Sequence, residues 1–213
     1  KHASMFLTGT QGLAFQYRAN TGGATTHAAG PRIPGPIWLK IQRKGSALTG
    51  SYSYDGANWA TVAQATISMN STAYIGLALT SHTPWAYASA YFTEVLETES
   101  TGNGWSSSDI GSVALPGSDS TTSNLVSIKA SGSDVWNDSD EFHYVFRQLT
   151  GDGVVVARVA NFNPSDPWSK AGVMIRETLA PNSKHAFMLV SGSEGLAFQR
   201  RAVSTEGWTD STY

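Results

Sequence analysis

The sequence predicts an all-β protein built from two packed antiparallel sheets, a β-sandwich, and three observations point there. Runs of β-branched and aromatic residues bounded by Gly, Pro, Asn and Asp recur along the chain, and no segment reads convincingly as a helix. Charged residues make up 14% of the 213 positions and 21 positions are Gly; Ser, Thr and Ala fill the deficit, which suits solvent-facing strand positions and tight turns. Finally, an internal repeat sets a period the size of one large sandwich domain, not of a short solenoid unit.

In chain order, strands are expected over residues 37–43, 47–54, 74–80, 86–96, 141–148, 154–159, 171–177, 186–191 and 196–201. Lys44-Gly45 and Asp55-Gly56 are turn signals, so the stretch from Trp38 to Trp59 reads as consecutive antiparallel strands. Period-two alternation puts Tyr52 and Tyr54 on one face. GDGVVVARVANF starts with a turn and continues as a strand buried between two sheets. In AGVMIRET, Val173 and Ile175 share one face and Met174 and Arg176 the other, so that second face is amphipathic or carries an ion pair.

The repeat aligns KHASMFLTGTQGLAFQYRA, starting at Lys1, without a gap on KHAFMLVSGSEGLAFQRRA, starting at Lys184; twelve of nineteen pairs are identical. The period is therefore about 183 residues. Residues 1–98 read as the C-terminal part of one sandwich repeat, 99–107 as a linker, and 108–213 as the N-terminal part of the next. One complete set of strands is present, but the hairpin at its middle occurs twice. On this reading residues 1–97 and 108–213 are not expected to close into one self-contained monomer. The surplus hairpin would pair with a neighbouring repeat or an identical chain, head to tail.

The formal net charge of −2 gives no basic field to release counterions from a phosphate backbone, so nucleic acid is not an expected partner. Zero cysteines exclude disulfides, thiolate metal sites and cysteine nucleophiles. No apolar run approaches the roughly 18 residues needed to span a bilayer as a helix.

Three dispersed segments, DIGSVALPGSDS, SGSDVWNDSDEFHYVFRQLTGDGVVVARV and PWSKAGVMIRETLAPNSKHAFMLVSGSEGLAFQRRA, together resemble a widespread bacterial module of the concanavalin A-like, laminin G-like sandwich superfamily. PIWLKIQRKGSALTGSYSYDGANWATVAQATISMNSTAYIGLALTSH resembles the rest of that module, so the likeness covers nearly the whole chain. The resemblance implies a jelly-roll fold and an extracellular or cell-surface location, as an accessory part of a very long secreted protein. It implies no catalytic residues, and its superfamily includes sugar binders, protein binders and structural members.

The chemistry-bearing residues agree with a non-catalytic reading. Glycosidases of that superfamily carry their carboxylates on one strand as Glu-x-Asp-x-x-Glu or a close variant, and Glu94, Glu97 and Glu99 do not match it; they read as a solvated strand end. No serine sits in G-x-S-x-G, and the histidines lack ligand spacing. His143 reads as a hydrogen-bonded structural residue. Asp134, Asn137, Asp138 and Asp140 offer hard oxygen ligands for a possible calcium ion, although turn-forming Asp and Asn bonding their own backbone account for the same residues. Trp59 and Trp136 read as packed anchors. Trp85, beside Pro84, with Tyr87, and next Trp168, are the candidates for stacking on a sugar ring. The expected function is a structural or adhesive repeat module; the alternative is a carbohydrate-binding module tethering a secreted enzyme to polysaccharide.

Overall fold

A computed structural model describes residues 1–8, 12–18, 26–29, 36–100, 104–190, 196–200 and 210–212. These residues form strands throughout, with no helix among them. In chain order they are β1 (His2–Thr8), β2 (Gly12–Arg18), β3 (Thr26–Ala29), β4 (Ile37–Lys44), β5 (Ala47–Ser53), β6 (Ala60–Thr66), β7 (Thr72–Thr80), β8 (Ala88–Ser100) and β9 (Ser106–Ile110). Then follow β10 (Ser118–Thr121), β11 (Leu125–Ala130), β12 (Val135–Trp136), β13 (Ser139–Asp140), β14 (Phe142–Asn163), β15 (Lys170–Arg176), β16 (His185–Val190), β17 (Leu196–Arg200) and β18 (Asp210–Thr212). The turns of both repeated hairpins, and the ends of the strands expected at 186–191 and 196–201, lie outside the described residues.

The protein is all-β, and its pairs are antiparallel apart from β3 with β18. In place of two clearly separate facing sheets, sixteen strands among the described residues join in one strongly curled sheet, a half-barrel, and β12 and β13 form a second. The reason lies in β14, a 22-residue strand that does duty on two sides of the core. Its first part, from Phe142 to Thr150, pairs with β7 and β9 and, at Leu149, with the end of β8; its second, from Gly153 to Asn163, pairs with β4 and β8. The chain bends between them at Gly151, whose φ of +79° is a left-handed conformation that side chains resist. The GDG expected as a turn between two strands is thus a corner inside one continuous strand, which merges two layers into one hydrogen-bonded surface.

Burial follows the period of two. On β4, Ile37, Leu39 and Ile41 are fully buried while Trp38, Lys40 and Gln42 are partly exposed. Opposite them on β14, Val155, Ala157 and Val159 are buried and Val154, Val156 and Arg158 face outward, so this segment has one buried face where two were expected. Each fully buried Ile, Leu or Val contributes roughly 1.5–3 kcal/mol. β15 differs, because all seven of its residues are buried, including Lys170 and Arg176.

The two sequence halves interleave. β7 lies between β14 and β15, and β4 and β8 both pair with β14. Ser100, Ser106 and Ser107, from the segment read as a linker, pair with Leu149, Phe146 and Val145. β8 leads into the junction and β9 returns from it on the same strand, so within this chain the two halves share β14 as a common partner.

The repeated hairpins meet the sheet at one place. Ala3 of β1 and Ala186 of β16 both oppose Ile175, Ser4 and Phe187 both oppose Met174, and His2 and His185 both oppose Arg176. The same strands also share a partner on their other side, since Ala3 and Ala186 both oppose Tyr17 of β2. Every shared register differs by the repeat period of 183. A strand edge presents a single row of N–H and C=O groups, so this slot beside β15 takes one copy of the hairpin at a time.

Candidate functional site

One end of the sheet gathers three loops: residues 81–87 between β7 and β8, 131–134 ahead of β12, and 164–169 between β14 and β15. Ser81 ties two of them, its carbonyl accepting from Ser169 Oγ at 2.6 Å and from Ser165 Oγ at 3.4 Å. Thr80 Oγ1 donates to the Glu141 carbonyl at 3.0 Å and to that of Gly132 at 3.2 Å, which brings in the third.

His82 stands at their junction with a left-handed φ of 59°, a conformation few non-glycine residues hold without support. The support is its ring, whose Nδ1 lies 3.0 Å from Asp166 Oδ1 and whose Nε2 lies 3.4 Å from Asp134 Oδ2. Asp134 also bonds Lys170, whose ammonium is buried and lies 5.6 Å from the centre of the Trp136 ring. Burial by itself would raise the Asp134 carboxyl, but the Lys170 and His82 charges hold it below the usual carboxylate range. Burial pushes the Lys170 ammonium down, against the attraction of Asp134 and Asp140. Deeper in, Arg176 lies 3.6 Å from Asp140, with both side chains fully buried, and donates to the carbonyls of Thr178 and Ala180 at 2.6 Å each. Of the two readings of that face of β15, amphipathic or carrying an ion pair, this is the second.

The four residues considered for calcium take separate positions. Asp134 and Asp140 each face an internal cation, while Asn137 and Asp138 form the exposed turn between β12 and β13, Asn137 with φ of 45°. Among the described residues no group of three or more His, Cys, Asp or Glu side chains is arranged to hold a metal ion.

Of the three stacking candidates, Trp85 is 77% exposed and Tyr87 is exposed at the loop end. The Tyr87 hydroxyl donates to the Pro116 carbonyl at 3.1 Å, and Lys129 Nζ sits 4.0 Å from its ring centre. Trp168 is half-buried, its ring 6.4 Å from that of His82. The loops thus place Trp85 and Trp168 on the same end of the sheet, on segments that Ser81 joins. His143, as expected of a structural residue, is buried with Nδ1 2.7 Å from Asp109 Oδ1 and Nε2 3.3 Å from Asp119 Oδ1.

Sequence reasoning missed a second feature, on the outward face of β4, β8 and β14. Arg158 covers Trp38 at 4.9 Å, Lys40 covers Trp59 at 4.0 Å, and Arg147 covers Trp105 at 4.9 Å. Trp59 is therefore a half-exposed partner of a lysine, and so is Trp136. Glu97 is not solvated either: it accepts from Arg147 Nη1 at 2.6 Å. Glu94 sits in a bulge of β8, where the register steps from Leu96 opposite Val156 to Thr93 opposite Arg158, and its φ is 52°. The bulge aims its carboxylate at Trp38, whose Nε1 donates to Oε2 at 3.1 Å. The available signal was the alternation in Ile37–Lys44, which puts Trp38 and Lys40 on the face away from the core.

Neither a scan against protein-family models nor a search of curated proteins finds a match to this chain.

Proposed function

We propose that this chain is a non-catalytic structural or adhesive module of a tandemly repeated extracellular protein, with a concanavalin A-like jelly roll as the underlying sandwich. The single observation that carries the reading is the internal repeat, in which KHASMFLTGTQGLAFQYRA from Lys1 recurs as KHAFMLVSGSEGLAFQRRA from Lys184 at an offset of 183. In a tandem polypeptide every β15-type edge has one hairpin copy before it and one after it, and the two are interchangeable in pairing. Successive modules can then be joined head to tail by a ladder of backbone hydrogen bonds, not only by a covalent linker. The low charge and Ser/Thr-rich surface fit an extracellular setting.

A polypeptide of two or four periods tests this directly. Its maximum dimension in X-ray scattering and electron microscopy should grow linearly with the number of periods, giving stiff rods. Flexible beads, whose dimension grows as the square root of the number of periods, would reject the ladder. Incubation with common polysaccharides should release no reducing sugar. A second reading, a carbohydrate-binding module for a secreted enzyme, draws on the exposure of Trp85 at the loop end; retention on insoluble polysaccharide that Trp85→Ala abolishes would favour it.

A further inference from the structure

The outward face of the sheet carries a groove of about 640 Å³ whose lining includes Thr93, Glu94, Leu96, Trp105, Asn124 and Arg158. We propose that this groove is a binding site for a neutral polysaccharide, with Arg158 as its principal hydrogen-bond donor.

Three features carry the proposal. Arg158 makes no ion pair or hydrogen bond among the described residues; it stacks on Trp38, and its Nε is buried without a partner. Directly across the ladder, Thr93 Oγ1 is also buried and unpartnered. Both atoms are closed off from solvent, so a ligand in the groove would meet Arg158 at its outer guanidinium nitrogens. Stacking on Trp38 holds the guanidinium plane, so its fork is already oriented for two neighbouring oxygens.

The second feature is charge. The lining holds one cation, Arg158, and one carboxylate, Glu94, while the 121–124 turn adds Thr, Thr, Ser and Asn. An acidic ligand would face Glu94 and a basic one Arg158. A neutral polyhydroxyl ligand can donate to Glu94 and accept from Arg158 at once. Glu94 is held for that role by the bulge and by Trp38 Nε1.

The third feature is apolar. Leu96 is 66% exposed, and Trp105, steadied by Arg147 over its ring, lines the same groove. The CH face of a pyranose ring packs on such a surface while its hydroxyls reach the polar wall. Trp85 and Trp168 belong to the loop end and not to this lining, so the groove is a separate site.

The test is affinity electrophoresis of the full chain through gels containing laminarin, xylan, pullulan or alginate, followed by titration calorimetry with oligosaccharides of whichever polymer retards it. At least one of the three neutral polymers should retard the chain, and alginate should not. Arg158→Gln and Trp105→Ala should each weaken binding at least tenfold, and Arg158→Lys should weaken it too, because an ammonium lacks the fork. Should Trp105→Ala fail to fold, shown by its melting curve, Leu96→Ser at an exposed position takes its place. No retardation by any neutral polymer would overturn the proposal. So would retardation by alginate alone, or binding that survives Arg158→Gln and disappears with Trp85→Ala. The head-to-tail reading does not depend on this site: arrays that form rods without retaining any polymer would remove the groove and leave the assembly standing.

Discussion

Cations lie against aromatic rings in two regions of this molecule, to different ends. On β15 and its neighbours, Arg176 lies 5.1 Å from the Phe142 ring and Lys170 lies 5.6 Å from that of Trp136, and each also meets a carboxylate, Asp140 or Asp134. On the outward face, Arg158 lies 4.9 Å from Trp38 and pairs with no carboxylate among the described residues. The difference follows from solvation. A cation taken fully out of water needs an opposite charge and several acceptors, whereas one at a half-exposed ring keeps water on its remaining nitrogens. The first arrangement specifies the fold, and the second leaves donors available to a ligand.

The comparison can be broken most forcefully at the buried end. Asp140→Asn would leave the Arg176 charge uncompensated in the core, and removing one partner of a buried pair costs about 3–5 kcal/mol, read as a lower midpoint in urea unfolding. Replacing Asp140 and Arg176 together by apolar residues of similar size should recover much of that loss. A midpoint unchanged by Asp140→Asn would show the pair to be dispensable.

The next effect is one of pH. The Asp134 carboxyl is held below its ordinary value, so its contribution is fully present above the unfolded-state value of about 3.9 and is lost as pH falls through the lower folded value. Stability of the wild type should therefore drop below about pH 4. Asp134→Asn should be less stable at neutral pH by about 1–3 kcal/mol, the cost of losing bonds to charged groups, with a flatter acid limb. Parallel acid limbs for the two proteins would assign the acid sensitivity elsewhere.

At the outward face the expected change is small. Arg158→Gln removes a side chain with no hydrogen-bond or ion-pair partner among the described residues, so unfolding free energy should move by no more than about 0.5 kcal/mol. A larger loss would make Arg158 structural, like Arg176. Smallest of all is the effect of calcium. With Asp134 and Asp140 turned to Lys170 and Arg176, adding calcium to chelator-treated protein should leave the melting temperature unchanged. A rise would mean that the Asn137–Asp138 turn captures the ion with ligands that these ion pairs conceal.

How much was legible beforehand depends on whether the information was local. The β4–β5 hairpin could be read because Lys44 and Ala47 close a turn at Gly45, whose φ is +56°, between alternating apolar residues. The Tyr52–Tyr54 neighbourhood could be read as well, and the rings lie 5.7 Å apart, edge to face. The internal repeat was visible as plain identity. The corner at Gly151 was not, because a glycine between two β-branched runs is compatible with a hairpin and with a bend, and only the partners on either side decide. The sugar-stacking candidates were chosen for neighbouring prolines, a local cue that found Trp85 but had nothing to say about Trp38 or Trp105.

By itself, then, the sequence determined that this is an all-β chain with alternating buried and outward positions, a duplicated segment and a polar residue, Arg176, on one face of β15. These are properties of neighbours along the chain, where strand period, turn chemistry and repeated identity act over a few residues. Tertiary structure alone decided that β4, β7 and β8 pair with β14, that Lys170 and Arg176 find Asp134 and Asp140, and that Arg158 is left facing a groove. Each joins residues 30 or more positions apart, and whether such groups meet depends on how a 22-residue strand bends around the core, which no local pattern records.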